Sequence, residues 1–138
     1  MADRYVLDTS ALLAAWQNEA GSSDVRNLFF QAGAGHCDLY ISFMSFFEAY
    51  YVIKARIGEA RALEIYHWLH RLPAERVNLQ EDILIAAGDV KSKYRVSAID
   101  AWIIATGLVR AATVLHKDGE FDGITDLPIR FLKIPRSS

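Results

Sequence analysis

At 138 residues, with 52% of them apolar and three Trp, the chain can bury a core without disulfide or metal staples and falls outside the disordered class. Apolar runs such as Ala101 to Val109 are too short to cross a bilayer, and the charges of Asp3, Arg4 and Asp8 leave no room for the apolar segment of a signal peptide. The net charge of −2 shows no basic surplus of the kind that marks nucleic-acid binders, although a cluster of cation-binding acids would hide a basic surface in the same sum.

The expectation is one domain spanning residues 1–138, without a membrane span. The single cysteine, Cys37, rules out an internal disulfide, suits a reducing cytoplasm and reads as a small buried hydrophobe. Arg4 to Leu7 predicts a first strand. Thr9 or Ser10 then caps a helix to about Gln17, with Ala11, Leu12 and Ala15 on one face. Ser22, Ser23 and Asp24 open a second helix through Phe30, stopped by Ala32 to Gly35. Asp38 to Ile41 is a short strand and Ser42 a helix cap. The helix from Met44 to Ile57 ends at Gly58 and carries Phe46, Phe47, Tyr50, Tyr51, Val52 and Ile53. A helix apolar nearly all round is buried or covers a partner. Arg61 to Leu72 is amphipathic and closed by Pro73, residues 77–79 suit a brief strand, and Asp82 to Lys93 is helical again.

Ser97 opens the most apolar helix, which ends near Arg110. Thr113 to His116 is a buried strand of the parallel type, Lys117 to Gly123 an acidic loop, and Ile129 to Ile134 a last strand. This alternation predicts an α/β fold: a three-layer α/β/α sandwich around a mainly parallel central sheet of four to five strands. The basic groups Lys54, Arg56 and Arg61, and again Lys91, Lys93 and Arg95, read as solvated helix ends.

Four acids occupy strand ends or early helix turns: Asp8, Glu48, Asp100 and Asp118. In a doubly wound sheet those positions share one edge, where ligands bind. Each acid also has an ordinary role. Asp8 or its neighbouring hydroxyls can cap a helix, Asp100 follows Ser97 at capping-box spacing, and Asp118 beside Gly119 suits a turn. Glu48 resists such an account, because a lone carboxylate among aromatics is costly unless neutral or paired. Taken together, carboxylates about 4 Å apart repel by roughly 4 kcal/mol at an effective dielectric near 20. Three or four in one crevice need protons or a cation. Hard oxygen donors without a Cys/His set select Mg²⁺ or Mn²⁺ over Zn²⁺, and such ions serve phosphodiester hydrolysis by polarising a phosphoryl oxygen and acidifying water.

These residues resemble the PIN-domain nucleases and, within them, the VapC-type toxins of bacterial and archaeal toxin–antitoxin pairs. The resemblance runs through Val6-Leu7-Asp8-Thr9-Ser10-Ala11-Leu12, Ile41-Ser42 leading to Glu48, Ser97 through Thr106, and Thr113 through Asp118 with Phe121. It implies that Asp8, Glu48, Asp100 and Asp118 are the acidic metal-binding set and that Thr9 occupies a hydroxyl position beside the first acid. Ser10, His116, Glu120 and Asp122 are auxiliary candidates. His116 stands where the family commonly has Thr or Ser, Glu120 where it often has Asp, and Asp122 is an extra acid. His116 is either an imidazole satisfied at a strand end or a phosphate or leaving-group contact. His67 and His70, at i,i+3 without further ligands, are a poor zinc signal.

The implied activity is a metal-dependent endoribonuclease leaving a 5′-phosphate and a 3′-hydroxyl. The implied partners are RNA, a VapB-type antitoxin and a second copy of the chain. Two alternatives stand beside it. A non-catalytic interaction module on the same fold could use the aromatics Phe43, Phe46, Phe47, Tyr50 and Tyr51. An aspartyl-phosphate hydrolase would also begin with an acid after the first strand, but needs a second Asp where this chain has Ser10.

Overall fold

The computed structural model describes residues 3–136. Five strands form one sheet: β1 (Asp3–Leu7), β2 (Cys37–Ser42), β3 (Glu75–Val77), β4 (Thr113–His116) and β5 (Phe131–Lys133). They lie in the order β3-β2-β1-β4-β5, and every pairing is parallel. The chain therefore works outward from β1 in one direction, returns, and continues outward in the other. A crevice opens where that order reverses, at the carboxyl ends of β1 and β4.

Alternation along the strands assigns the two faces. Leu7, Leu39, Ile41 and Leu115 pack with α1 (Thr9–Trp16), α2 (Ser22–Gly33), α3 (Phe43–Ile57) and α4 (Glu59–Arg71). Val6 and Val114 pack on the other face with α5 (Glu81–Lys93) and α6 (Ala98–Arg110). Both faces are covered, which is why the central strands read as continuous apolar runs. The expected three-layer sandwich is thus present, with five strands, all parallel, among the described residues.

Several boundaries differ from the sequence expectation for local reasons. The third strand sits at Glu75–Val77 rather than 77–79: Val77 is buried against α5 while Leu79 is 58% exposed. Helix α4 starts two residues early because Gly58, at φ +100, closes α3 and opens α4 without a linker. The last strand shortens to Phe131–Lys133, and the acidic loop contains a 3-10 turn at Gly119–Phe121. Helix α6, which carries Asp100, lies close on β4 at Gly107. A Cβ there would come within 3.1 Å of Val114 and 3.2 Å of the Ala112 carbonyl.

Candidate active site

The chain enters α1 through Asp8, whose backbone is still extended and whose N–H completes the ladder to the Leu115 carbonyl at 2.9 Å. Of the three candidate caps of α1, Asp8, Thr9 and Ser10, it is Asp8 that serves: its Oδ2 accepts from the Ser10 N–H at 3.1 Å and from the Ser10 hydroxyl. Ser10 Oγ in turn accepts from the Lys117 N–H at 2.9 Å, pinning the loop after β4 to the start of α1. Thr9 is buried and donates its hydroxyl to Ser45 Oγ at 3.0 Å, tying α1 to α3. Ser10 thus holds the Asp8 carboxylate, while Thr9 anchors the backbone beside it to α3.

Capping uses only one oxygen of Asp8. The other, Oδ1, is buried with no hydrogen-bond partner. An orphaned carboxylate oxygen costs a few kcal/mol unless something compensates it. Burial pushes the Asp8 carboxyl up to about 7; the Ser10 hydrogen bonds oppose that rise, and the charges of Asp100 and Glu120 add to it.

Ser97 caps α6 by accepting from the Asp100 N–H at 3.1 Å, so Asp100 is not the cap and its carboxylate is left for the crevice. Desolvation, then the Glu120 charge, with smaller pushes from Glu48 and Asp118, raises Asp100 to about 6 against a hydrogen bond from Ser97. Glu120 is also raised, by partial burial and by Asp118. Asp8, Glu48, Asp100, Asp118 and Glu120 all line one crevice of about 420 Å³, together with Ser10. Glu48 is only half-buried, so the cost of a carboxylate sealed among aromatics does not arise. It looks into the crevice while Phe47 and Tyr51, its helix neighbours, are 57% and 44% exposed.

Two expected auxiliaries lie elsewhere. His116 is 2% exposed, with Nδ1 donating to the Asp118 carbonyl at 2.7 Å and its ring edge-on to Phe121 and Phe131. It is a core imidazole that shapes the loop, and it does not line the crevice. Asp122 is ion-paired with Lys133 at 3.1 Å on the surface. Conversely, Arg56 lines the crevice, although it had read as part of a solvated helix end. Glu48, Val52 and Arg56 repeat at i,i+4,i+8 on α3, and that stripe is the sequence signal for it.

The donor chemistry fits a hard divalent cation. The five acids supply only oxygen, one buried oxygen is orphaned, and burial and neighbouring acids disfavour the charged forms of Asp8 and Asp100, a cost that a cation would offset. Among the described residues no three His, Cys, Asp or Glu side chains are already drawn together as an ion-holding set. The acids share a crevice without being clustered at ligand spacing.

The PIN-domain family profile matches residues 5–127, and the chain belongs to the PIN-domain family. No curated protein sequence matches it closely enough to count as a relative. Among solved structures it is similar to a chain of the DNA-bound VapBC from Salmonella typhimurium, at 18% identity and a TM-score of 0.73 over 96% of this chain and 98% of that one. A chain of VapBC2 from Rickettsia felis, bound to a promoter DNA fragment, gives 16% identity and a TM-score of 0.72 over 93% and 98%. VapC20 of Mycobacterium tuberculosis, described as a sarcin-ricin loop cleaving toxin, gives 15% and 0.67 over 89% and 98%. At such identities the likeness establishes the fold.

Proposed function

We propose that this PIN-domain protein is a VapC-type toxin: an Mg²⁺- or Mn²⁺-dependent endoribonuclease with a VapB-type antitoxin as partner. The observation that carries the proposal is the orphaned, desolvated Oδ1 of Asp8, a residue that lines one crevice with Asp100, Glu48 and Asp118 at the reversal point of the sheet. Asp8, Asp100 and Glu48 would hold the first ion, and Asp118 would complete or extend the set, with Glu120 beside it. A bound divalent cation would stabilise charge on the phosphoryl group and acidify a water molecule.

The chain's own residues supply the rest. Ser10 keeps Asp8 in one rotamer, and Thr9 ties the start of α1 to α3, so the crevice pays little reorganisation when substrate arrives. Arg56, at the rim, is placed to hold a phosphate of the RNA backbone by charge and by its donor fork. RNA as the substrate is supported by the described activity of the VapC20 neighbour. An antitoxin is supported by the VapBC complexes that share the fold. A homodimer is supported by an apolar groove of about 430 Å³ on α3 and α4, bordered by Phe43, Phe47, Tyr50 and Leu63. Among the described residues no helix is long and apolar enough to cross a membrane, and a cytoplasmic location belongs to the same proposal.

The test is cleavage of RNA in Mg²⁺, in EDTA, and by D8N. Cleavage that needs the ion and is lost in D8N supports the assignment. Cleavage that persists in EDTA or in D8N refutes it, and absence of Mn²⁺ binding by titration calorimetry would favour a non-catalytic interaction module.

A further inference from the structure

A second cavity, of about 540 Å³, is lined by Arg4, Arg130 and Arg136, with Asp3 as its one acid. Its volume lies within the roughly 300–1,000 Å³ of small-ligand pockets. It is not the acidic crevice. Arg4 and Asp8 lie toward opposite ends of β1, about 13 Å apart at ~3.3 Å per residue. Tyr5 and Thr113, paired in register across β1 and β4, contribute to its walls with Leu132 of β5. Arg130 immediately precedes β5, and its carbonyl accepts from the Val114 N–H at 2.9 Å.

Three arginines from separate parts of the chain therefore line one concavity. Their charge is poorly answered. Arg4 makes a loose surface pair with Asp38 at 3.9 Å and donates to the Arg110 carbonyl at 3.1 Å. Arg136 uses its backbone N–H on Asp24 at 3.0 Å. Neither the Arg130 nor the Arg136 guanidinium is ion-paired among the described residues. Each is a rigid donor fork matched to carboxylate or phosphate. With the forks of Arg130 and Arg136 uncommitted and the charge of Arg4 beside them, the site suits the higher charge and three or four oxygens of a phosphate group better than a single carboxylate.

We propose that this arginine-lined cavity is a phosphate-binding site, separate from the acidic crevice. Its ligand is a phosphate group, whether free, on a nucleotide, or in the backbone of single-stranded RNA. The site does not depend on the nuclease assignment, because it uses none of the crevice acids and needs no divalent ion.

Isothermal titration in EDTA, with inorganic phosphate, adenosine monophosphate and a single-stranded hexaribonucleotide, tests it. R130Q is compared with wild type and with K91Q, which removes the same charge from the exposed surface of α5. The expected result is saturable binding of at least one probe, weakened tenfold or more in R130Q and unchanged in K91Q. Equal affinity for phosphate and the hexaribonucleotide identifies a free phosphate ligand. Tighter binding of the hexaribonucleotide identifies the backbone, and its salt slope should then fall by about 0.7 in R130Q, the value for one single-strand phosphate contact. No saturable binding in any arm overturns the proposal, as does an equal effect of R130Q and K91Q. Circular dichroism and thermal melting of R130Q establish that the fold is intact, which the solvent exposure of Arg130 leads one to expect.

Discussion

The carboxyl and amino ends of β1 carry opposite charges in opposite environments. At the carboxyl end Asp8 is 3% exposed and Asp100 9%, so their charges are desolvated and strongly felt. At the amino end Arg4, Arg130 and Arg136 remain exposed to water, so gathering them costs little. The net charge of −2 averages over both ends and describes neither. Burial, more than sign, separates a group under electrostatic stress from one that is merely available for binding. The acidic end is therefore the place where substitution should be felt most.

The sharpest way to break the contrast is D8N. Asn still caps α1 and removes the one buried charge that lacks a full set of partners, leaving Glu48, Asp100, Asp118 and Glu120 in the crevice. Cleavage should fall by more than the roughly 100-fold that follows loss of a group one layer away from a metal. The metal-free protein should at the same time be more stable near neutral pH, with ~4 kcal/mol as the ceiling for a shift from 3.8 to about 7. Thermal melting and RNA cleavage on the same preparation check both halves. A variant that loses activity by unfolding would remove Asp8 from its assigned role.

Next comes pH. Asp8 and Asp100 have folded-state values of about 7 and about 6, both above the usual 3.8. Their contribution to stability is complete below about pH 4 and is lost as pH rises through those two values. A cation reverses that loss only where the acids are ionised. Mn²⁺ at about 100 times its dissociation constant should raise the melting temperature by roughly 5–10 °C at pH 8 and hardly at all at pH 5. An equal rise at both pH values would mean that ion binding does not involve these carboxyls.

Ser10→Ala tests the hydroxyl that joins Lys117 to Asp8. It should lower cleavage by roughly 10–100-fold while costing about 1–2 kcal/mol of stability in chemical denaturation. The smallest effect belongs to Asp122→Asn. The exposed pair with Lys133 is worth under about 1 kcal/mol, and cleavage should be unchanged. A large loss of activity in that variant would return Asp122 to the site.

Much of the fold was written in local pattern. Ser42 and Ser97 announced helix starts and both cap as expected. Gly58 announced the end of α3, and the apolar run Thr113 to His116 announced a strand covered on both sides. Strand β3 was harder to place, because three residues carry too few side chains to show a period and only the packing of Val77 against α5 sets their register. His116 and Asp122 show the corresponding limit for function. Both are polar and lie within four residues of Asp118, yet one turns inward to a carbonyl and the other outward to Lys133. Arg56 shows the reverse: an ordinary surface cation by sequence, carried into the crevice by the pitch of α3.

The sequence by itself determined the order of strands and helices, the pairing of each candidate acid with a strand end or a helix start, and hence the edge of the sheet at which acids could gather. Those properties depend on near neighbours along the chain, through hydrophobic period, capping and turn chemistry. The tertiary structure alone decided which oxygen of Asp8 is left without a partner, that Glu48 is half-open, and that arginines from β1 and the flanks of β5 meet at the far edge. Burial and electrostatic stress depend on what distant segments bring alongside, and no local pattern encodes that distance.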